Sequence, residues 1–116
     1  MPSFDPKSVA EALRRDFPDA AKNIDSSMVG LLHTEMHCFA AHVQHQIDSG
    51  NRVELQRCYE WLRQLMLYGD PEVQNAVGVS VLEHLNTADG KAKRKWALDA
   101  MPSVLKKAYD GLTRGA

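Results

Sequence analysis

The stretch Gly50-Asn51-Arg52-Val53-Glu54-Leu55-Gln56-Arg57-Cys58-Tyr59-Glu60-Trp61-Leu62-Arg63-Gln64-Leu65-Met66-Leu67-Tyr68-Gly69-Asp70-Pro71-Glu72 decides the fold class of this chain. Between its two glycines, Leu55, Cys58, Tyr59, Trp61, Leu62, Leu65 and Met66 recur at the three-and-four spacing of one helix face. Arg52, Gln56, Arg57, Glu60, Arg63 and Gln64 take the opposite face, so 53–68 reads as an amphipathic helix. Its flanks repeat one punctuation. Gly50, Gly69 and, farther on, Gly90 each follow an apolar periodic stretch and read as helix C-caps. Asn51 is placed to cap the next helix, with Glu54 three residues on completing a capping-box-like pair. Asp70-Pro71-Glu72 supplies a cap, a proline at the first helical position and early negative charge.

Working toward the N-terminus, a long helix is expected from about 25 or 26 to 49. Met28, Val29, Leu32, Met36, Phe39, Ala40, Val43 and Ile47 form its inward arc, and Leu31 lies off it. Before it, Asp5-Pro6 starts a helix over roughly 6–16, which Pro18 ends, with a short helical turn after that proline. Toward the C-terminus, 71 to about 86 reads as a widely apolar helix through Val73, Ala76, Val77, Val81, Leu82 and Leu85, with Val79 outside the arc. The valines of 77–81 also suit a strand, but the flanking caps and the length favour helix. Helices over about 91–100 and 102–111 follow, the last turning Val104, Leu105, Ala108, Tyr109 and Leu112 inward. The expectation is an all-α fold: one compact bundle of about six helices built from antiparallel αα-hairpins. A period near 40 residues per helix pair also allows HEAT-like right-handed stacking of those hairpins.

The 116 residues suit a single helical domain over 1–116, with residues 1–25 docking an N-terminal helix on the core. No apolar run reaches the roughly 20 residues of a membrane span, and the first residues lack the basic and apolar regions of a signal peptide, so a cytoplasmic protein is expected. Two cysteines, Cys38 and Cys58, are too few for a secreted disulfide framework. Residues 1–90 carry seven basic and 13 acidic side chains, and residues 91–116 carry seven and two. Such an acidic body attracts a basic protein partner.

Four histidines crowd the long helix. His33 and His37, at i and i+4, are the pair that could chelate a metal with a further ligand from another helix or subunit, whereas His42 and His45 lie on roughly the opposite side, with Glu35 near His42. The string from His33 to His37 lacks the two-residue gap after Glu of the His-Glu-x-x-His pattern. His84 falls inside an apolar arc one turn from Ser80 and is expected to be at least half-buried, but no nucleophile elbow accompanies that pair. Every Asp and Glu can be assigned to a cap or a polar face. The basic run Lys91, Lys93, Arg94 and Lys95 beside Trp96 reads first as a solvated helix end, with nucleic acid as an alternative ligand.

Gly50-Asn51, Glu60-Trp61-Leu62, Gly69-Asp70-Pro71-Glu72-Val73, Asn75-Ala76-Val77 and Val79-Ser80-Val81-Leu82-Glu83-His84-Leu85 together resemble a family of small, uncharacterised bacterial helical proteins, over roughly residues 45–100. The resemblance implies no catalytic residues. Some proteins that look like this are small partners in toxin and immunity contexts, which implies occlusion of a toxin. The resulting expectation is a non-enzymatic protein-binding module, an immunity protein that blocks a basic toxin through Glu54, Arg57, Glu60, Glu72, Asn75 and Glu83, with no cofactor and with a homodimer left open. The alternatives are a histidine-based metal-binding protein or small metal-dependent enzyme using His33 and His37, and a nucleic-acid accessory protein using residues 91–107.

Overall fold

A computed structural model describes residues 4–27, 29–87 and 94–114, the last three by backbone alone. α1 (Pro6–Asp16) opens on a reciprocal capping box: Asp5 Oδ1 accepts the Ser8 N–H at 2.8 Å, and Ser8 Oγ accepts the Asp5 N–H at 2.9 Å. It buries Val9, Ala12 and Leu13 and stops at Phe17, where Pro18 begins the one-turn α2 (Pro18–Ala21). The long helix, α3 (Leu32–Ser49), starts later than its hydrophobic pattern suggests. Gly30 takes a left-handed φ of 86°, and the Asp25 carboxylate accepts the Ser27 N–H, a local turn that competes with helix initiation. Val29 is consequently exposed rather than inward, and Met28 lies outside the described residues.

α3 ends on Gly50 at φ 73°, and Asn51 accepts the Glu54 N–H at 3.1 Å to open α4 (Arg52–Tyr68). The expected return half of that capping box is not made, because the Glu54 carboxylate turns to His42 and Arg57. Gly69 is a different kind of glycine. Its φ of −76° suits any residue, but a Cβ there would lie 2.3 Å from the Leu65 carbonyl oxygen and 2.7 Å from a Val73 methyl. Close approach, not handedness, requires it. Phe4 stitches this corner: its N–H donates to the Tyr68 carbonyl at 3.1 Å and its carbonyl accepts from Asp70 at 2.9 Å.

α5 (Pro71–Ala76) begins on Asp70, which accepts the Val73 N–H at 2.9 Å. It then widens into a π-helical turn (Val77–Val81) and tightens into a 3₁₀ turn (Leu82–His84). The 77–81 segment is therefore helical, as its caps imply, though not α-helical. A wider turn retards the angular advance of everything after it. Val81, Leu82 and Leu85 stay buried, but His84, expected in the apolar arc, emerges exposed. α6 (Lys95–Asp99) and α7 (Ser103–Arg114) complete the chain, with Gly90, Lys91 and Lys93 outside the described residues. α7 packs back on α4 and on the 3₁₀ turn, closing the helices into an all-α bundle of 37 × 27 × 25 Å.

Every helix contributes to one cluster of buried apolar side chains. Its aromatic centre joins the end of α1 to the α3–α4 hairpin: Phe39 meets Phe17 edge-on at 5.0 Å and Trp61 edge-on at 4.9 Å between ring centroids. The buried Tyr59 hydroxyl donates to the Ala97 carbonyl at 2.8 Å and couples α4 to α6.

Candidate functional site

Where the end of α1 crosses the outer face of α4, the helices leave an open groove of about 620 Å³. Phe17 and Trp61 form its apolar floor, Val53 stands at its lip with 76% of its surface exposed, and Asp16, Gln56, Glu60 and Gln64 supply polar walls. Arg57 separates it from a second hollow of about 420 Å³ lined by His42, Gln46, Asn51 and Glu54, and its side chain is held from three directions. It donates to the Asp16 carbonyl at 2.7 Å and to Glu54 Oε1, and its guanidinium lies 4.8 Å over the Phe17 ring. An arginine so fixed loses little rotamer freedom when a ligand arrives.

The carboxylates here are conditioned by cations. Burial raises the Glu54 carboxyl, but the hydrogen bonds from His42 and Arg57 outweigh it and leave that group below the usual glutamate range. Glu60 is lowered by the paired hydrogen bonds of Arg63 at 2.9 and 3.0 Å, and Asp16 by its hydrogen bonds from Arg15. Behind Glu54, His42 Nε2 lies 3.0 Å from Glu54 Oε2, and the buried Cys58 thiol completes a group whose donor atoms are all within 4.8 Å of one another. Burial pushes that thiol up to about 12.

Of the expected partner-binding residues, Glu54, Arg57 and Glu60 come together along this groove and its neighbouring hollow. Glu72, Asn75 and Glu83 do not join them. They are exposed on α5 and the 3₁₀ turn, away from the groove walls. Asp16, Phe17, Val53 and Trp61 were not expected in a site, and no spacing rule pairs the end of one helix with the outer face of another three elements later. His42 and Cys58 had a usable signal: they stand nearly equidistant from the Gly50-Asn51 turn, and equidistant residues of an αα-hairpin face each other.

The histidine pair of the metal alternative sits on another seam. His33 Nδ1 is 2.8 Å from the Ser80 hydroxyl, which replaces the Ser80–His84 neighbourhood suggested by sequence spacing, and His37 meets His84 edge-on at 4.7 Å. All three rings are exposed, and among the described residues the three-ligand group is the one at His42 instead. Glu35 does not accompany His42 on a polar face. It is 2% exposed and takes a 2.7 Å ion pair from Arg14 of α1. Of the basic run, Lys91 and Lys93 lie outside the described residues, Arg94 is tied to Asp48 at 2.8 Å, and Lys95 is exposed. Trp96 is half-buried, with the Arg52 guanidinium 4.4 Å over its ring where a nucleobase would have to stack. Cys58 is a buried free thiol, and among the described residues no helix is long and apolar enough to cross a membrane.

No curated protein and no solved structure matches the chain. A family model does match, over residues 10–115, and with an all-α bundle spanning almost that whole length the chain belongs to the family described as Domain of unknown function (DUF7674).

Proposed function

We propose that this chain is a non-enzymatic protein-binding module of the bacterial cytoplasm, an immunity protein whose α1–α4 groove seats a basic segment of a toxin and occludes it. The observation that carries the reading is the groove itself, which combines the aromatic floor of Phe17 and Trp61, the immobilised Arg57 and the exposed Val53. Aromatic and arginine side chains of this kind are enriched among the residues that dominate binding energies, and fixing them in advance lowers the ordering cost. Asp16 and Glu60 already pair with Arg15 and Arg63, so on the walls they offer acceptor oxygens rather than unpaired charge, and the attraction for a basic segment rests on the acidic excess of residues 1–90. Glu54 acts by orienting Arg57 rather than by direct contact, since its carboxylate is already shared between Arg57 and His42.

Co-expression with the product of the adjacent reading frame tests this. A basic toxin recovered in a salt-sensitive complex, weakened about tenfold or more by Trp61→Ala and by Glu60→Lys, is the expected result. A complex indifferent to both substitutions, or no salt-sensitive partner at all, overturns the assignment.

A further inference from the structure

We propose that His42 of α3 together with Glu54 and Cys58 of α4 is a zinc-binding site that the hairpin assembles across the Gly50-Asn51 turn. The inference is independent of the partner reading and begins with donor chemistry. One imidazole nitrogen, one carboxylate oxygen and one sulfur, all within 4.8 Å of one another, are a set that borderline-soft Zn²⁺ accepts and that hard Mg²⁺ and Ca²⁺ do not favour. Zinc holds such donors at about 2.0–2.3 Å, so those of a tetrahedral shell stand roughly 3.3–3.7 Å apart. Closing the present cluster onto an ion therefore asks each side chain for a shift on the order of half an ångström to one ångström, within a rotamer's compliance.

The surroundings fit a site better than an accidental meeting of side chains. Glu54 and Cys58 are i and i+4 on one helix and so share a face, and His42 reaches that face from the partner helix. Arg57 occupies Glu54 Oε1 and leaves Oε2 directed at His42, the outer-shell orientation that metal-bound carboxylates use. The His42 ring lies against Phe17 and Phe39 with centroids 6.2 and 6.1 Å away, and only 9% of its side chain is exposed. One side stays open, because His42 and Glu54 border the 420 Å³ hollow from which a water could fill a fourth position.

The step balances without redox chemistry. Zn²⁺ takes the Cys58 sulfur as thiolate and its proton passes to solvent. The hydrogen that His42 Nε2 donates to Glu54 is given up to solvent and the neutral ring is protonated at Nδ1 instead, so Nε2 presents its lone pair and the net release is the one thiol proton. The hydrogen bond from His42 to Glu54 is exchanged for two bonds to the ion. The two anionic ligands then neutralise the dication, and Arg57 keeps its contacts with Asp16 and the Phe17 ring.

Full-length protein, stripped with chelator and kept reduced, would be titrated with Co²⁺ and then Zn²⁺. The expected outcome is a single equivalent of Co²⁺ with a thiolate-to-cobalt charge-transfer band that Zn²⁺ displaces, and a Zn²⁺-dependent rise in Tm. Cys58→Ser should abolish the band and weaken Zn²⁺ binding by about 100-fold or more, and His33→Asn with His37→Asn should leave both unchanged. Should Cys58→Ser fail to fold, the wild-type spectrum alone decides. Folded wild-type protein showing no thiolate band, or metal binding lost in the His33/His37 variant, overturns the proposal.

Discussion

α3 is flanked by two seams of opposite character. Toward α4 it presents Phe39, whose ring meets Trp61, and the polar groups there, His42 with Glu54 and Arg57, stand beside the Phe17 and Phe39 rings. Toward the π-helical and 3₁₀ turns, the rim of the seam is polar: His33 on Ser80, His37 on His84, Gln44 clasping the backbone of Asn86 at 2.8 and 3.1 Å, and Asp48 on Arg94. Those contacts climb α3 in step with the other segment, so the two run side by side in the same direction. Residues crowded on one helix thus end in unlike environments. The histidines most conspicuous in sequence, His33 and His37, are the solvated ones, and His42 is the one that meets other donors.

Substitutions should separate the two seams in a definite order. Phe39→Ala removes the ring at the aromatic centre and is expected to cost about 3–5 kcal/mol, read as a lower urea midpoint at unchanged slope. Arg14→Ala leaves the buried Glu35 carboxylate without its cation, and we expect a loss of about 2 kcal/mol, with Glu35→Leu in the same background recovering part of it. On the polar seam, Gln44→Ala and His33→Ala should each cost only about 1 kcal/mol. Ser80→Ala together with His33→Ala should cost less than the sum of the single changes, because the buried hydroxyl is then no longer stranded. His37→Ala, on the exposed rim, should stay within about 0.5 kcal/mol of wild type. A result in which Gln44→Ala rivals Phe39→Ala would erase the contrast between the seams.

Acid probes the polar seam through Asp48. The hydrogen bond from Arg94 holds the Asp48 carboxyl below its usual range, against the upward pull of burial, with Gln44 assisting. A carboxylate depressed in the folded state contributes stability above its unfolded value, near pH 4, and loses it as pH falls through the folded value. Asp48→Asn should therefore flatten the decline in stability between about pH 5 and about pH 3, measured by chemical unfolding across that interval.

Sequence periodicity reads the apolar burial of both seams, Val73, Ala76, Val77, Val81, Leu82 and Leu85 included, but misses the polar contacts of the second, and the reason is geometric. Leu55, Cys58, Tyr59, Trp61, Leu62 and Leu65 obey α-helical phase and are all buried as the pattern implies, with Met66, the last of that face, half-buried. From Val77 onward the phase slips, so Ser80 meets His33 and His84 swings outward, an outcome no 100° wheel contains. Caps were legible wherever a short side chain satisfies its own helix, at Asp5, Asn51 and Asp70. The start of α3 was not, because Gly30 and the Asp25 turn overrule an apolar pattern that continues through them. The groove was half legible: Arg57 and Glu60 follow from the polar face of α4, whereas Phe17 and Asp16 come from a helix end that only tertiary packing delivers there.

Gly50 offers a chemical handle. Its φ of 73° is the natural preference of a D-amino acid, and the space where a side chain of ordinary handedness would project is empty. A synthetic or ligated chain carrying D-alanine at this position would have its turn prefigured in the unfolded ensemble, so the hairpin that unites His42 with Cys58 should tighten by about 0.4–1 kcal/mol while its L-alanine counterpart loosens.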